Sequence, residues 1–309
     1  MSIADLRTFT ATTFSNYKTT AVRKELVNVL LKSDIEAAAY WTAELVCSGH
    51  FEELWDVLFL FYAKYVHIAN VKIANYMDLR FATFRDIMSQ EAVELNARNH
   101  PQIRRLFAEI VYVLCFSPRK ASLELSKTPT HFDLAAAKLK APTVSFAESV
   151  FRKGDAKEIY IPFNELAYAL HAKNYVDACQ WLEWVLGYDA LCAKNKTPLK
   201  YVERAYCKQS KKDVVWLVWD LLLVKDNAFL KSALSALLAL FCVRYSPSCK
   251  TRRRPLIYFA LLLHCEPVNT GVDLVQDKVA LANSCSKVDL VYKRIVEKFK
   301  AQESKGPPK

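Results

Sequence analysis

Between Lys194 and Lys212 the chain holds seven basic residues and one acid: Lys194, Lys196, Lys200, Arg204, Lys208, Lys211 and Lys212, with Glu203. Lys196, Lys200, Arg204 and Lys208 recur every four residues. On a helix that spacing makes one basic stripe, flanked by Tyr201 and Tyr206. A second run, Arg244 to Arg254, carries Arg244, Lys250, Arg252, Arg253 and Arg254 and no acid. A third, smaller group is Arg104-Arg105. Such groups neutralise phosphates and release counterions, and arginine adds bidentate phosphate contacts. The candidate contacts to nucleic acid or another anionic partner are Arg104, Arg105, Lys196, Lys200, Arg204, Lys208, Lys211, Lys212, Lys250, Arg252, Arg253 and Arg254. The alternative is a solubilising surface, or contacts to an acidic protein.

Other chemistry finds less support. Cys242, Cys249, His264 and Cys265 come nearest to a metal set. Zinc ligands usually arrive as close pairs, whereas here the first two cysteines are seven apart and His264-Cys265 are adjacent. Neighbours on a helix point about 100° apart, so buried thiols are the plainer reading. Cys47 and His50 flank a helix end and can approach each other, but a packed Cys and a capping or surface His are the plainer reading. No glycine-rich phosphate loop, no Gly-x-Ser-x-Gly elbow and no His-Glu-x-x-His occurs. Hence no catalytic residue, metal or cofactor is expected, and the chain reads as non-enzymatic.

The elements that must position these residues are helical. Five Gly in 309 residues leave too few turn residues for an all-β fold. Apolar spacing of three and four predicts helices at 22–31, 35–47, 51–69, 71–88 and 101–116. Asp34 or Ser33 caps the second, Gly49 ends it, and Pro101 opens the fifth. Residues 117–145 hold Pro118, Pro129 and Pro142 among lysines and read as a connector with a short helix at 132–140. Helices resume at 163–172, 175–186, 198–207, 213–224, 229–243, 255–264 and 289–300. The expected architecture is all-α, a multi-helix array in two units. Residues 1–20 are weakly ordered, 21–117 form the first unit, 118–145 a basic connector, 146–300 the second unit and 301–309 a disordered tail. The tryptophans lie on apolar faces and belong to the core.

Charge divides the same way. Residues 1–120 carry 14 Lys/Arg against 13 Asp/Glu; residues 121–309 carry 29 against 19. The basic field lies in the later part. Nine cysteines, no apolar leader at the start and no apolar run of 18 residues point to a reducing intracellular compartment and no transmembrane segment. An internal repeat is also visible. Glu25-Leu26, Leu30, Ala38 and Trp41 match Glu165-Leu166, Leu170, Ala178 and Trp181 at an offset of 140. Trp55-Asp56 resembles Trp219-Asp220, and Cys115 resembles Cys242.

The run Ser33-Asp34-Ile35-Glu36-Ala37-Ala38-Ala39-Tyr40-Trp41-Thr42-Ala43 resembles the start of the C-terminal helical domain of the RarA/MgsA replication-associated AAA+ ATPases. The likeness continues through Gly49, Phe51–Ala69 and Arg104–Lys120, covering about residues 22–120. The same stretch, with Cys47-Ser48-Gly49-His50-Phe51 and Arg98-Asn99 to Phe107, is similar to an uncharacterised family of large nucleocytoplasmic DNA viruses. The first resemblance implies a clamp-loader-collar-like helical fold, self-association and a place near DNA replication. The ATPase machinery of that family lies in a domain absent here, so no catalytic residue transfers. The second implies a viral factory, host nucleus or cytoplasm, or the virion. Two functions follow: an oligomerising scaffold that engages nucleic acid or replication proteins through the basic second half, or a minor capsid or inner-shell protein whose basic face meets coat subunits or lipid headgroups.

Overall fold

The computed structural model describes residues 3, 8–91, 93–134, 138–208, 210–224 and 227–303. Among them the secondary structure is helical, with only isolated bridges and no strand. The helices are α1 (Thr19–Leu31), α2 (Ile35–Cys47), α3 (Phe51–Phe61), α4 (Lys72–Met88), α5 (Pro101–Phe116), α6 (Tyr160–His171), α7 (Tyr175–Lys194), α8 (Val214–Leu222), α9 (Ala228–Phe241), α10 (Cys249–Arg252), α11 (Arg254–Cys265), α12 (Lys278–Ser286) and α13 (Val288–Glu303). No helix of the described residues is long and apolar enough to cross a membrane.

Two compact units form. The first gathers the described residues of 1–62, 76–120 and 271–309, the second those of 63–75 and 121–270. In the first, α1 and α2 make an antiparallel hairpin on which α5 packs. Val22, Leu26, Val29 and Leu30 recur on one face of α1 and are buried. The turn is built by polar backbone chemistry. Lys32 N–H donates to Asn28, Ser33 N–H to Leu30 and Asp34 N–H to Val29. Ser33 takes a left-handed φ of 56°, and the Asp34 carboxylate accepts from Ala37 N–H at 3.0 Å.

The second unit repeats this hairpin 140 residues later, with α6 and α7. Ala172 N–H donates to Tyr168, Lys173 N–H to Leu170 and Asn174 N–H to Ala169. Lys173 has φ 55°, and the Asn174 side chain accepts from Asp177 N–H at 3.1 Å. The correspondence is residue by residue, so the offset marks a structural repeat of the hairpin. Trp55 on α3 and Trp219 on α8 extend the likeness. Both are buried, and neither indole N–H has a partner among the described residues. The Cys115–Cys242 likeness ends there: α5 packs on α1 and α2, but in the second unit α11, not α9, packs on α6 and α7.

Several elements differ from expectation. The helix expected over 51–69 stops at Phe61 and widens into a π-turn over Tyr62–Val66, then a 3₁₀ turn at His67–Ala69. Lys64 C=O there accepts from Leu123 N–H, and His67 Nε2 lies 3.0 Å from Ala121 O. The chain therefore passes between units at 62–63 as well as at 120–121. The end of the chain, expected in the second unit, returns to the first. Asp277 caps α12, Tyr112 Oη donates to Asp277 O, and Arg104 pairs with Asp289. Near the start, Thr13, Phe14 and Ser15 are buried, with Phe14 stacked on Phe299 at 4.0 Å, so this stretch is packed. No helix forms among the described residues of 132–140; the middle of that stretch and the last residues of the tail lie outside them.

Candidate functional site

The second unit organises its basic residues around buried acids. Residues 198–207, expected to be helical, are irregular. α7 ends at a left-handed residue, Lys196 with φ 62°, and Pro198 follows. Beyond it, neighbouring residues are drawn to different partners, which one helix face cannot satisfy. Tyr201 Oη donates to Asp189 at 2.8 Å, Val202 N–H to Asp155 at 2.9 Å and Tyr206 Oη to Asp220 at 2.6 Å.

Arg204 is the node. Its Nη1 and Nη2 each donate to one Asp155 oxygen at 2.8 Å, and its Nε donates to Asp220 at 2.5 Å. The Arg204 side chain is 1% exposed and that of Asp155 0%. Burial alone would raise the Asp155 carboxyl. Arg204, with the N–H groups of Val202 and Arg152, outweighs burial and holds it below the ordinary carboxylate value. Burial alone would lower Arg204, but the same two acids outweigh it and raise the guanidinium, so its charge is answered internally.

A second network braces the same loop. Lys250 Nζ lies 3.2 Å from Asp213 and 3.7 Å from Asp189, and Tyr245 Oη donates to Asp213 at 3.0 Å. In a third, Arg254 Nη1 donates to Glu183 at 2.5 Å, and Tyr258 Oη donates to the same oxygen at 3.1 Å.

The arginines expected as anion contacts are therefore largely internal. Arg104, Arg204, Arg253 and Arg254 are buried. In the first unit, Arg104 pairs with Asp289 at 3.2 Å, lies 4.7 Å over the Tyr292 ring and donates through Nε to Arg98 O. Arg253 donates to the carbonyls of Phe241 and Val243 at the end of α9, satisfying groups that a helix terminus leaves open. These four correct the sequence reading: each is held by a carboxylate or carbonyl distant in sequence. Lys250 is half-buried and committed to its two acids. Arg252 is exposed on its short helix and donates to Cys249 Sγ at 3.4 Å. Arg105 is exposed, on the first unit.

What remains outward around this loop is mostly lysine. Lys194, Lys196, Lys200, Lys208, Lys211 and Lys212 are exposed. Lys211 and Lys212 share Glu203 at 3.8 and 3.7 Å, an exposed arrangement of little energetic weight. Lys194, Lys196, Lys200 and Lys208 make no ion pair among the described residues. Three further cations, missed in the sequence, are fastened to this loop: Arg152, Lys153 and Lys157, all exposed. Arg152 N–H donates to Asp155 at 2.8 Å, and its guanidinium reaches Glu203 O at 3.3 Å and Asp220 at 3.3 Å. Asp155 and Arg204 thus tie two basic segments together from below. The sign was present in Arg152-Lys153-Gly154-Asp155-Ala156-Lys157, around one of the chain's five glycines.

The thiols take no part in this. His264 Nε2 lies 2.7 Å from Leu222 O, and no group of three or more metal-ligating side chains occurs among the described residues. Cys47 is fully buried, and burial, then Glu44, raises its thiol far above the ordinary value. His50 Nε2 faces Thr12 O at 2.9 Å. No family model, curated protein or solved structure matches this chain.

Proposed function

We propose that the protein is a non-enzymatic helical scaffold that binds nucleic acid through the lysine-rich loops of its second unit, residues 152–157 and 194–212. The observation that carries this reading is the division of labour around Arg204. Acids beneath the surface hold Arg204 and Arg254, and the exposed cations of two segments are drawn together, with Lys211 and Lys212 sharing Glu203. Flexible ammonium groups on a braced loop suit a regularly spaced phosphate backbone, and they carry no base-reading geometry, so binding is sequence-indifferent. The resemblance of the first unit adds self-association to this scaffold.

The reading is tested by replacing Lys208, Lys211 and Lys212 with alanine and measuring affinity for a labelled oligonucleotide. A loss of at least about tenfold is expected at low salt. Equal affinity for wild type and variant would remove this loop from the contact surface. Retention on an acidic protein without any affinity for the oligonucleotide would move the face to a protein partner.

A further inference from the structure

A cavity of about 440 Å³ opens in the second unit at residues 151–161. Its lining has two characters. Phe151 and Tyr160 make an aromatic wall, with ring centroids 4.8 Å apart and an edge-to-face angle of 87°. Tyr160 Oη donates to Val144 O at 2.6 Å, which fixes its ring. Arg152, Lys153 and Lys157 line the same cavity. Lys153 and Lys157 make no ion pair among the described residues. The acid in the lining is Asp155, and its charge is answered by Arg204 and by two backbone N–H groups.

The loop is shaped for close approach. Arg152 N–H donates to the Asp155 side chain and Asp155 N–H donates back to Arg152 O at 3.0 Å, closing a tight turn with Lys153 and Gly154 at its tip. Gly154 has φ 113°, and a Cβ there would sit 3.1 Å from Val202 Cγ2. Lys157 opens the 3₁₀ turn that leads into α6, so the positive end of that helix adds to the same field.

We infer that this cavity receives one nucleotide unit, its phosphate among Arg152, Lys153 and Lys157 and its base against Phe151 and Tyr160. A flat ring joined to an anion is the chemistry that a cavity lined by two aromatic rings and three cations recognises. The inference deepens the proposed nucleic-acid binding and rests on it for the strand; for a single nucleotide it stands by itself.

The test uses the full chain with two probes, fluorescein-labelled dT15 and thymidine monophosphate. Lys153→Ala/Lys157→Ala is compared with Lys208→Ala/Lys211→Ala/Lys212→Ala, and all these side chains are exposed, so folding is preserved. Lys153→Ala/Lys157→Ala is expected to weaken dT15 about tenfold and to reduce the slope of log K against log salt by about 0.7, the share of the one phosphate held there. Wild type should also bind an abasic strand about tenfold more weakly than dT15, the share of the stacked base. Loss of dT15 binding only in the Lys208/Lys211/Lys212 variant overturns the cavity and leaves the wider reading standing. If dT15 does not bind at all, the wider reading falls and calorimetry with thymidine monophosphate decides. Saturable heat abolished by Lys153→Ala/Lys157→Ala upholds the nucleotide site, and its absence overturns it.

Discussion

Asp155→Ala is expected to loosen the basic face without removing a single cation from it. The native carboxylate takes two guanidinium hydrogen bonds at 2.8 Å and two backbone N–H bonds at 2.8 and 2.9 Å, all beneath the surface. Breaking a buried ion pair from one side costs about 3–5 kcal/mol. Asp220 remains on Arg204 Nε and moderates the loss, while the stranded N–H groups of Arg152 and Val202 add about 1 kcal/mol or more each where water does not reach them. We therefore take about 4 kcal/mol. The reporter is Trp216, buried in the same unit and donating its indole N–H to Ser210 O. With an m-value of about 2–3 kcal/mol/M, the urea midpoint of the transition seen by fluorescence falls by about 1–2 M. The effect has a pH signature. The Asp155 carboxyl is held below its ordinary value of about 3.9, so its contribution is complete above that pH and fades as pH falls through the folded value. Wild type and variant should differ at pH 7, and the difference should shrink as pH falls below the ordinary carboxylate value. A midpoint within about 0.3 M of wild type at pH 7 would refute the assignment of Arg204 and Asp155 as the brace of the two loops.

Three shorter expectations accompany it. Asp34→Ala and Asn174→Ala each remove a helix N-cap from equivalent hairpins and should each cost about 1 kcal/mol in urea unfolding, with effects that add because they fall in different units. Gly154→Ala forces a Cβ toward Val202 at an unfavourable φ and should destabilise the second unit by about 1–3 kcal/mol, read as a lowered thermal midpoint. Thiol labelling at pH 8 followed by mass spectrometry should modify the partly exposed Cys192 first; Cys115, buried and with its thiol pushed up to about 12, should react only on unfolding.

Much of the architecture was legible because it depends on local pattern. Pro101 to Phe116 forms a helix with its expected ends, since proline, apolar period and the Ser117-Pro118 stop are all encoded within it. The hairpin at 31–34 and its counterpart at 171–174 were visible through spacing, although neither has glycine at the left-handed position. Other features depended on distant partners. α12 carries little apolar periodicity, and its place is set by α5, far away in sequence. The basic stripe at 196–208 had the right period for a helix but the wrong surroundings: Asp155, Asp189 and Asp220 pull Val202, Tyr201 and Arg204 apart. Charge can be counted from a sequence. Whether an arginine faces solvent depends on whether the fold brings it an acid, as Glu183 meets Arg254 and Asp289 meets Arg104. Arg152, Lys153 and Lys157 give a weaker signal, three cations split by Gly154 and Asp155 rather than an acid-free run.

The central claim is that exposed lysines on the second unit grip a phosphate backbone. Its most direct measure is the dependence of dT15 affinity on salt for the intact protein. If about five phosphates are neutralised, log K falls with log salt at a slope near −3.5, and affinity drops about a hundredfold between 50 and 200 mM. Absence of binding at 50 mM, or binding that salt leaves unchanged, would contradict it.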